Sequence, residues 1–442
     1  MSASDTGRKL IQSVMTLMTG TLLAQVISVG VTPLLSRIYG PGDFGVIGLV
    51  NGAATVVVAF AALRYDMAVV LPKREADAAN LVLLGLGSVG GATIASLLAV
   101  AFFSTPIARL MGSPQFGAWL WAAPAIVLVT GIYGVLTNWT TRQKKFRRLS
   151  ISAVIASGSS AGAKISAGVA GLGVVGLVFG QLLGQLVAAL ALAAQVWRDD
   201  RRTFTRAASL RACRRLAGEY VEFPKFHAPM SLAFTLSYNM PLYVVGAYFG
   251  DRDVGYWSLT VLVLSTPVYL VGNAVRQVLF QRISSLLNEG QPVAPLLAKS
   301  TGALLAITLP LAILGWFLAP WGFGFLLGEE WVPAGEHARN LIAWQASLLV
   351  SMPSSAAFPA LKLQRVTLAW QLTAIALGAL ALMWGGASGV ALEASLAYGL
   401  TMTLMNGLLI GVVWLYARKG RRDAPTTSGH ASHNPKPDPG SP

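Results

Sequence analysis

The sequence predicts an all-α, polytopic membrane protein with about twelve transmembrane helices in two parallel six-helix lobes. Its composition is the first observation, because 54% of the 442 residues are hydrophobic and only 12% are charged, with a mean hydropathy of +0.61. A soluble domain typically carries about 25% charged residues. The second observation is a series of long apolar segments, and the third is an internal repeat that relates the two halves of the chain.

Apolar segments long enough to cross a bilayer follow one another along the chain, since a transmembrane helix needs roughly 20 such residues. We place twelve spans at 10–35, 45–70, 78–104, 118–141, 150–170, 174–197, 227–248, 255–280, 300–319, 337–360, 366–385 and 390–416. The connections alternate in charge, and one set holds only four basic residues, Arg37, Arg109, Arg252 and Arg339. By the positive-inside rule, the opposite side and both termini are expected to be cytoplasmic. The net charge of +15 is therefore a topology signal and predicts no nucleic-acid partner.

The longest polar interval, Arg198 to Phe226, separates two runs of apolar segments and holds eight basic residues against four acidic ones. We therefore predict an N-terminal lobe over 1–197, a basic cytoplasmic connector over 198–226, a C-terminal lobe over 227–416 and a disordered cytoplasmic tail over 417–442. Four apolar residues of the connector recur at helical spacing among arginines: Leu210, Cys213, Ala217 and Val221. This spacing is typical of an interfacial amphipathic helix. The basic residues around it would attract anionic lipid headgroups.

The two halves of the chain repeat a turn sequence. Residues 39–45 read YGPGDFG, and residues 249–255, 210 positions later, read FGDRDVG. A second echo relates 106–112 to 320–328, each beginning with proline and ending with glycine. Short Gly/Asp turns also recur by chance, but two echoes in the same order favour a true repeat. Because six spans insert each half the same way up, the repeat is parallel, which is a transporter architecture with the substrate path between the halves.

Ionisable residues inside predicted spans are costly and point to functional sites. Arg64, near the inner end of span 2, and Arg276, near the inner end of span 8, lie at similar offsets within the repeat. If they face each other across a cleft, their guanidinium groups would suit a phosphate-bearing ligand. Alternatively, Arg64 reaches the interface or pairs with Asp66. Lys164, well inside span 5, is a third candidate cavity cation.

Two acidic residues and one polar helix face add further candidates. Asp66 and Glu393 are possible sites of coupling to a proton or another cation, although Asp66 also fits a structural partner of Arg64 and Glu393 fits the outer interface. Four polar residues of span 1 share one helix face: Thr21, Gln25, Ser28 and Thr32. This face would either line a water-filled cavity or hydrogen-bond to a neighbouring helix.

Enzyme and metal signatures are absent from the sequence. It contains no nucleotide-binding Gly-Lys-Ser/Thr loop and no His-Glu-x-x-His pattern, and its four histidines are scattered. The single cysteine, Cys213, excludes a multi-cysteine metal site. We therefore expect no catalytic residues, no metal and no cofactor. The polar start, Met1 to Lys9, precedes an apolar run too long for a signal-peptide core, which predicts an uncleaved first span.

The block from Leu63 to Pro72 (LRYDMAVVLP), followed by Glu75 to Leu81 (EADAANL), resembles bacterial polysaccharide-biosynthesis flippases. These are the lipopolysaccharide and O-unit translocases of the multidrug/oligosaccharidyl-lipid/polysaccharide exporter superfamily. Further matches are found at Glu222 to Pro224, Gly250 to Gly255, Gly328 to Trp331, Ala334 to Gly335 and Met352 to Ser355. The resemblance covers about residues 10 to 416.

This resemblance implies two lobes around a central, often cationic cavity. It also implies alternating access that moves an undecaprenyl-diphosphate-linked oligosaccharide to the outer leaflet of a bacterial cytoplasmic (inner) membrane, for O-antigen, capsule or exopolysaccharide. Arg64, Lys164 and Arg276 are our candidates for the cations that hold the diphosphate. Expected partners are the lipid-linked oligosaccharide, membrane lipids and polysaccharide polymerase machinery. Because both lobes lie in one chain, we expect a monomer.

The sequence leaves two other functions open. A cation-coupled small-molecule or drug antiporter of the same superfamily would favour acidic residues inside the lobes, whereas the charge within the spans is mainly positive. A membrane glycosyltransferase or polysaccharide polymerase would need a substantial loop with catalytic groups. The outer connections are short. Their notable acidic residues are Glu329, Glu330 and Glu336.

Overall fold

The computed structural model describes residues 19–361 and 363–419, and this part of the chain is almost entirely helical. Twelve helices within it have 20 or more residues. In chain order they are α1 Thr19–Ile38, α2 Pro41–Ala61, α3 Glu75–Leu110, α4 Pro114–Arg142, α5 Phe146–Val169, α6 Val174–Ala207, α7 Ala228–Phe249, α8 Asp251–Asn288, α9 Ala294–Leu327, α10 Glu329–Ala360, α11 Gln364–Ala387 and α12 Ala391–Lys419. The predicted uncleaved start and most of the predicted tail lie outside the described residues.

Ten of these described helices are long and apolar enough to cross a membrane. The other two, α5 and α7, have 24 and 22 residues but are more polar. The all-helical, multi-pass fold is thus confirmed, whereas crossings by α5 and α7 stay a prediction. The end of the bundle predicted to be cytoplasmic is called the inner end, and the opposite end is called the outer end.

Span 2 is shorter than predicted, because α2 stops at Ala61. Leu63 and Arg64 adopt positive φ angles of 48° and 60°, a left-handed region that residues with a Cβ rarely enter. Two successive residues in this region end the right-handed helix, and a short helix, Tyr65–Ala68, follows in the connection to α3. Arg64 and Asp66 therefore lie beyond the inner end of α2 and not within it. The equivalent helix of the second half, α8, continues without such a break.

The two lobes cross where the repeated turns begin α2 and α8. A Cβ on Gly45 would lie 1.8 Å from the carbonyl oxygen of Asp251, and a Cβ on Gly255 would lie 1.8 Å from that of Pro41. Gly45 and Gly255 are 210 positions apart, and so are Pro41 and Asp251. The same contact is therefore made twice, as a pseudo-two-fold axis along the membrane normal requires. Glycine permits this approach because it has no side chain to keep the backbones apart.

Residues near the helix ends at the outer end of the bundle add further contacts between the lobes. The hydroxyl of Ser36 donates to the Leu327 carbonyl at 2.9 Å, and the indole N–H of the fully buried Trp331 donates to the Ser36 carbonyl at 2.8 Å. In the other direction, the Ser113 hydroxyl donates to Asp251 Oδ2 at 2.6 Å. The region after α9 thus contacts the first lobe, and the region after α3 contacts the second. The outer end is consequently closed.

The polar interval between the lobes is more helical than its composition suggests. Helix α6 continues to Ala207, and its 34 residues span about 51 Å, well beyond the roughly 30 Å core of a bilayer. On its inner extension, Asp200 accepts hydrogen bonds from Trp139 Nε1 and Lys145 Nζ, each at 3.1 Å. Part of the inner basic charge is therefore neutralised by acidic residues of α6.

An amphipathic helix, Leu210–Glu219, follows α6 and packs against the start of α3. Its buried contact is Leu216, which is 1% exposed, whereas Leu210 is 71% exposed and Val221 is 49% exposed. The middle of the predicted apolar face is nevertheless engaged, because the Cys213 thiol approaches the carbonyl of Asn80 on α3 at 3.5 Å and Ala217 packs against the core. The helix also docks through an ion pair between Arg215 and Asp77 at 2.5 Å.

Candidate functional site

A cavity of about 380 Å³ lies near the inner end of the first lobe, and Thr235 of the second lobe also lines it. It is bounded by α2, by α4, by the connection that follows α2 and by α7 of the second lobe. Its polar lining comprises Thr55, Arg64, Asp66, Thr130, Tyr133, Thr137, Asn138 and Thr235. The early end of α2 creates this cavity, because the left-handed residues turn the chain away from the helix axis and place Arg64 and Asp66 at its rim.

Arg64 bridges the two lobes at this cavity. Its Nε–H donates to the hydroxyl of Ser231 on α7 at 2.8 Å. Among the described residues, its remaining guanidinium N–H groups have no hydrogen bond or ion pair, and Asp66 lies beyond ion-pair distance. A guanidinium with free N–H groups is suited to bind a phosphate through two parallel hydrogen bonds.

Asp66 lines the same cavity. Its Oδ2 accepts a hydrogen bond from Asn138 Nδ2 at 3.1 Å, whereas its Oδ1 and the hydroxyl of Thr137 are buried without a partner among the described residues. Burial raises the pKa of the Asp66 carboxyl, although the nearby Arg64 and the backbone N–H of Met67 act in the opposite direction. A carboxylate that is partly desolvated and half satisfied can hold a proton or a small cation.

Lys164 lies far from this cavity, near the outer end of α5. The Tyr39 hydroxyl donates to its carbonyl at 2.6 Å, and its aliphatic stem packs on Gly180 of α6. No described side chain pairs with its ammonium group. The 21 residues of α2 separate Tyr39 from the inner end by about 31 Å, so Lys164 and Arg64 occupy different depths.

The remaining charged candidates are also apart from the cavity. Arg276 is exposed on α8 and approaches Asn273 Oδ1 at 3.4 Å. Glu393 is exposed in the first turn of α12, at the outer end. The structure therefore brings Arg64 and Asp66 together, and it places Lys164 elsewhere.

The polar face of α1 is divided between solvent and protein contacts. Thr21 and Ser28 are exposed, Gln25 is half-buried and Thr32 is buried. The Ser28 hydroxyl donates to Ser157 Oγ of α5 at 3.2 Å, and the Thr32 hydroxyl donates to the Ser28 carbonyl at 3.1 Å. The inner part of this face is available to line a path, and the outer part is engaged within the lobe.

A polar set inside the first lobe was missed from the sequence. Asn51 on α2 donates to Gln181 on α6 at 3.0 Å, and Thr130 on α4 donates to Gln185 at 2.6 Å. The spacing of four between the two glutamines places them on one face of α6. That spacing is the signal that would have revealed them.

A family model described as polysaccharide biosynthesis protein matches residues 34–336. The chain belongs to this family. The succinoglycan biosynthesis transport protein ExoT of Rhizobium meliloti (strain 1021) is 25% identical over 405 residues, which cover 90% of this chain and 74% of that protein. The resemblance to a polysaccharide-biosynthesis family, read from the sequence, is thus confirmed.

Solved structures show the same fold at low sequence identity. The lipid II flippase MurJ in an inward closed conformation superposes with a TM-score of 0.71 at 12% identity, over 93% of this chain and 90% of that one. An inward-facing MATE family multidrug transporter of the MOP superfamily superposes with a TM-score of 0.64 at 15% identity, over 94% of this chain and 96% of that one. The two-lobed transporter fold is therefore shared by flippases and drug transporters.

Proposed function

We propose that this family member is an alternating-access flippase for undecaprenyl-diphosphate-linked oligosaccharide units in the assembly of a surface polysaccharide. The observation that carries the proposal is Arg64, which lines the inner cavity, contacts the second lobe and has guanidinium N–H groups without a partner among the described residues. A diphosphate is the part of such a lipid that a guanidinium binds most strongly. The sugars would occupy the polar cleft, and the lipid tail would stay in the bilayer.

The bridge between Arg64 and Ser231 suggests how binding leads to closure. Each residue belongs to a different lobe, and the hydrogen bond between them is 2.8 Å long. A diphosphate bound by Arg64 and by donors of the second lobe would draw the inner ends together. A ligand shifts a conformational equilibrium by the difference in its affinity for the two states, so this contact would favour opening at the outer end.

Arg276 and Lys164 are proposed as further cations on the path. Arg276 is exposed at the inner part of α8, apart from the Arg64 cavity, and would contact the phosphates before they reach Arg64. Lys164, whose ammonium group near the outer end has no partner in the described part of the chain, would meet the headgroup after the lobes have changed orientation. The polar residues Thr21, Gln25 and Ser28 are proposed to line the cleft between these depths.

Asp66 is proposed to couple transport to a proton or cation gradient, because it lines the inner cavity and its buried Oδ1 has no hydrogen-bond partner among the described residues. Glu393 is a second candidate at the outer end. The same Asp66 site also supports the alternative function of a cation-coupled antiporter for small molecules. The transporter fold is compatible with both, and the substrate distinguishes them.

We propose that the protein lies in the bacterial inner membrane with both termini in the cytoplasm. Residues 198–226 would connect the two lobes, and a monomer would be the functional unit. The reciprocal glycine crossing supports the monomer, since the two lobes of one chain already supply both sides of the cleft. Polysaccharide polymerase machinery is the proposed recipient of the flipped unit.

The test is the leaflet distribution of undecaprenyl-diphosphate-linked oligosaccharide in cells with Arg64→Ala, Lys164→Ala or Arg276→Ala at matched expression. Loss of a hydrogen bond to a charged group costs about 1.5–3 kcal/mol, so we expect Arg64→Ala to cause inner-leaflet accumulation and loss of surface polymer. Arg282→Ala, which removes an exposed arginine of the same α8 as Arg276, is the matched control. Normal translocation in all three variants would refute the cationic site. A normal distribution after full deletion would favour the antiporter.

A further inference from the structure

Three tyrosines of the second lobe form a cluster in which one ring is buried and two are exposed. Tyr238 lies on α7, Tyr269 on α8 and Tyr398 on α12, and the three side chains lie near one another. The Tyr398 ring is 6% exposed and stands edge-on to Trp257 and Trp344, with ring centroids 5.4 and 5.1 Å away. Such T-shaped contacts fix the orientation of a ring, so the cluster has a rigid base.

Tyr238 belongs to the face of α7 that meets the first lobe. On this face, Ser231 bonds Arg64, Thr235 lines the inner cavity, and Leu242 contacts α2 at Gly52. Tyr238 follows Ser231 by seven residues and precedes Leu242 by four, the spacing of one helix face. It therefore stands between the cavity and the closed outer part of the interface.

Tyr238 is 55% exposed and Tyr269 is 38% exposed, although both lie in the middle of long helices. Tyrosines of membrane proteins concentrate at the bilayer surface, where the hydroxyl reaches water. At mid-depth, a hydroxyl in contact with lipid would lose its hydrogen bonds. The position of Tyr238 on the interlobe face points to a wet path, and Tyr269 lies beside it.

We infer that Tyr238 and Tyr269 form a platform for the sugar residues of the transported lipid, an inference that rests on the proposed flippase function. A sugar ring offers a C–H face that packs on an aromatic ring and hydroxyls that bond to phenol groups, which matches the amphipathic surface of tyrosine. No carboxylate is among the described contacts of these tyrosines, so an organic cation would lack a counter-charge here.

The platform lies where the first sugars would be if Arg64 held the diphosphate. Tyr238 is seven residues, or about 10 Å along α7, from the residue that Arg64 contacts. Because the first sugar is attached directly to the diphosphate, phosphates at Arg64 would direct the sugars toward the outer end and thus toward Tyr238. The first lobe would then recognise the charged diphosphate, and the second lobe would recognise the sugars.

The experiment compares binding of two lipids to the full-length protein in lipid nanodiscs. One probe is undecaprenyl diphosphate, and the other is the undecaprenyl-diphosphate-linked oligosaccharide extracted from cells that make the surface polymer. We expect the double variant Tyr238→Leu/Tyr269→Leu to lose about tenfold in affinity for the glycosylated lipid and none for undecaprenyl diphosphate. The Tyr→Phe pair keeps the rings and should retain most of the preference. Tyr416→Leu, an equally exposed tyrosine at the inner end of α12, should change neither affinity.

Arg64→Ala separates the sugar platform from the flippase proposal on which it rests. This variant should lower the affinity for both lipids by the same factor, because both carry the diphosphate. If the double tyrosine variant keeps the preference for the glycosylated lipid, or loses affinity for both lipids equally, the platform is refuted while the flippase proposal stands. If the wild type binds neither lipid, the flippase proposal fails and the sugar platform fails with it.

Discussion

A methyl group at Gly45 tests the outer contact between the lobes. In Gly45→Ala the new Cβ would lie 1.8 Å from the carbonyl oxygen of Asp251, whereas ordinary van der Waals contact begins at 3.4 Å. That oxygen belongs to the backbone of a helix and cannot rotate away as a side chain would. The two helices must therefore separate by 1.6 Å, the difference between these distances.

Overpacking of this kind typically costs about 1–3 kcal/mol. Because the clash exists only while the outer end is closed, it changes the ratio of closed to open molecules by about 5- to 150-fold. The assay is the distance between spin labels at Gln115 and Glu330, which are exposed at the outer ends of the two lobes. Cys213→Ser removes the single native cysteine first. We expect the longer, outer-open distance to dominate in Gly45→Ala.

Gly42→Ala is the matched control, because a Cβ there has no neighbour within 4 Å among the residues that the structure describes. Gly255→Ala should reproduce the effect of Gly45→Ala, since its Cβ meets Pro41 at the same 1.8 Å. The double variant should be less than additive, because one separation relieves both clashes. Identical distance distributions for Gly45→Ala and Gly42→Ala would show that the crossing does not hold the outer end closed.

Three further changes address single contacts. Burial raises the pKa of Asp66 above 3.8, so the folded protein binds this proton more tightly than the unfolded chain, and stability should rise as pH falls through the raised value. Asp66→Asn should flatten that part of the profile of thermal unfolding against pH; an unchanged profile would contradict it. Asp200→Ala leaves the buried Trp139 indole N–H without its acceptor and should cost about 1–3 kcal/mol of stability, seen as a lower Tm. Trp331→Phe removes the donor to Ser36 but keeps a ring, and it should shift the spin-label distances toward the open state more weakly than Gly45→Ala.

The multi-pass helical fold could be predicted because membrane helices are specified by local composition. Apolar length gives the spans, and the repeated turns give the relation between the halves. The reciprocal contacts of Gly45 and Gly255 explain why both copies of the turn keep glycine at the same position. The predicted helix bounds were less accurate where a helix continues beyond the apolar segment. Helix α6, for example, continues past the predicted end at 197 to Ala207.

The candidate site was harder to predict from the sequence. The depth of a residue in the membrane and the direction of its side chain depend on how the helices pack. No local sequence pattern predicts the positive φ angles of Leu63 and Arg64. Lys164 is within a predicted span, but its distance from Arg64 follows from the contact of its carbonyl with Tyr39. Aromatic residues such as Tyr238 are common in apolar segments, so only the face they occupy distinguishes them.

The glycine crossing also bears on how such a chain arises. The contact has two parts, a backbone carbonyl on one helix and a glycine Cα on the other. The first lobe supplies them at Pro41 and Gly45, and the second lobe supplies them at Asp251 and Gly255. An interface of this kind is self-complementary. A six-helix ancestor with one such surface would already have been able to associate with a second copy of itself, and fusion of two genes would have turned that homodimer into a single polypeptide whose halves were then free to specialise.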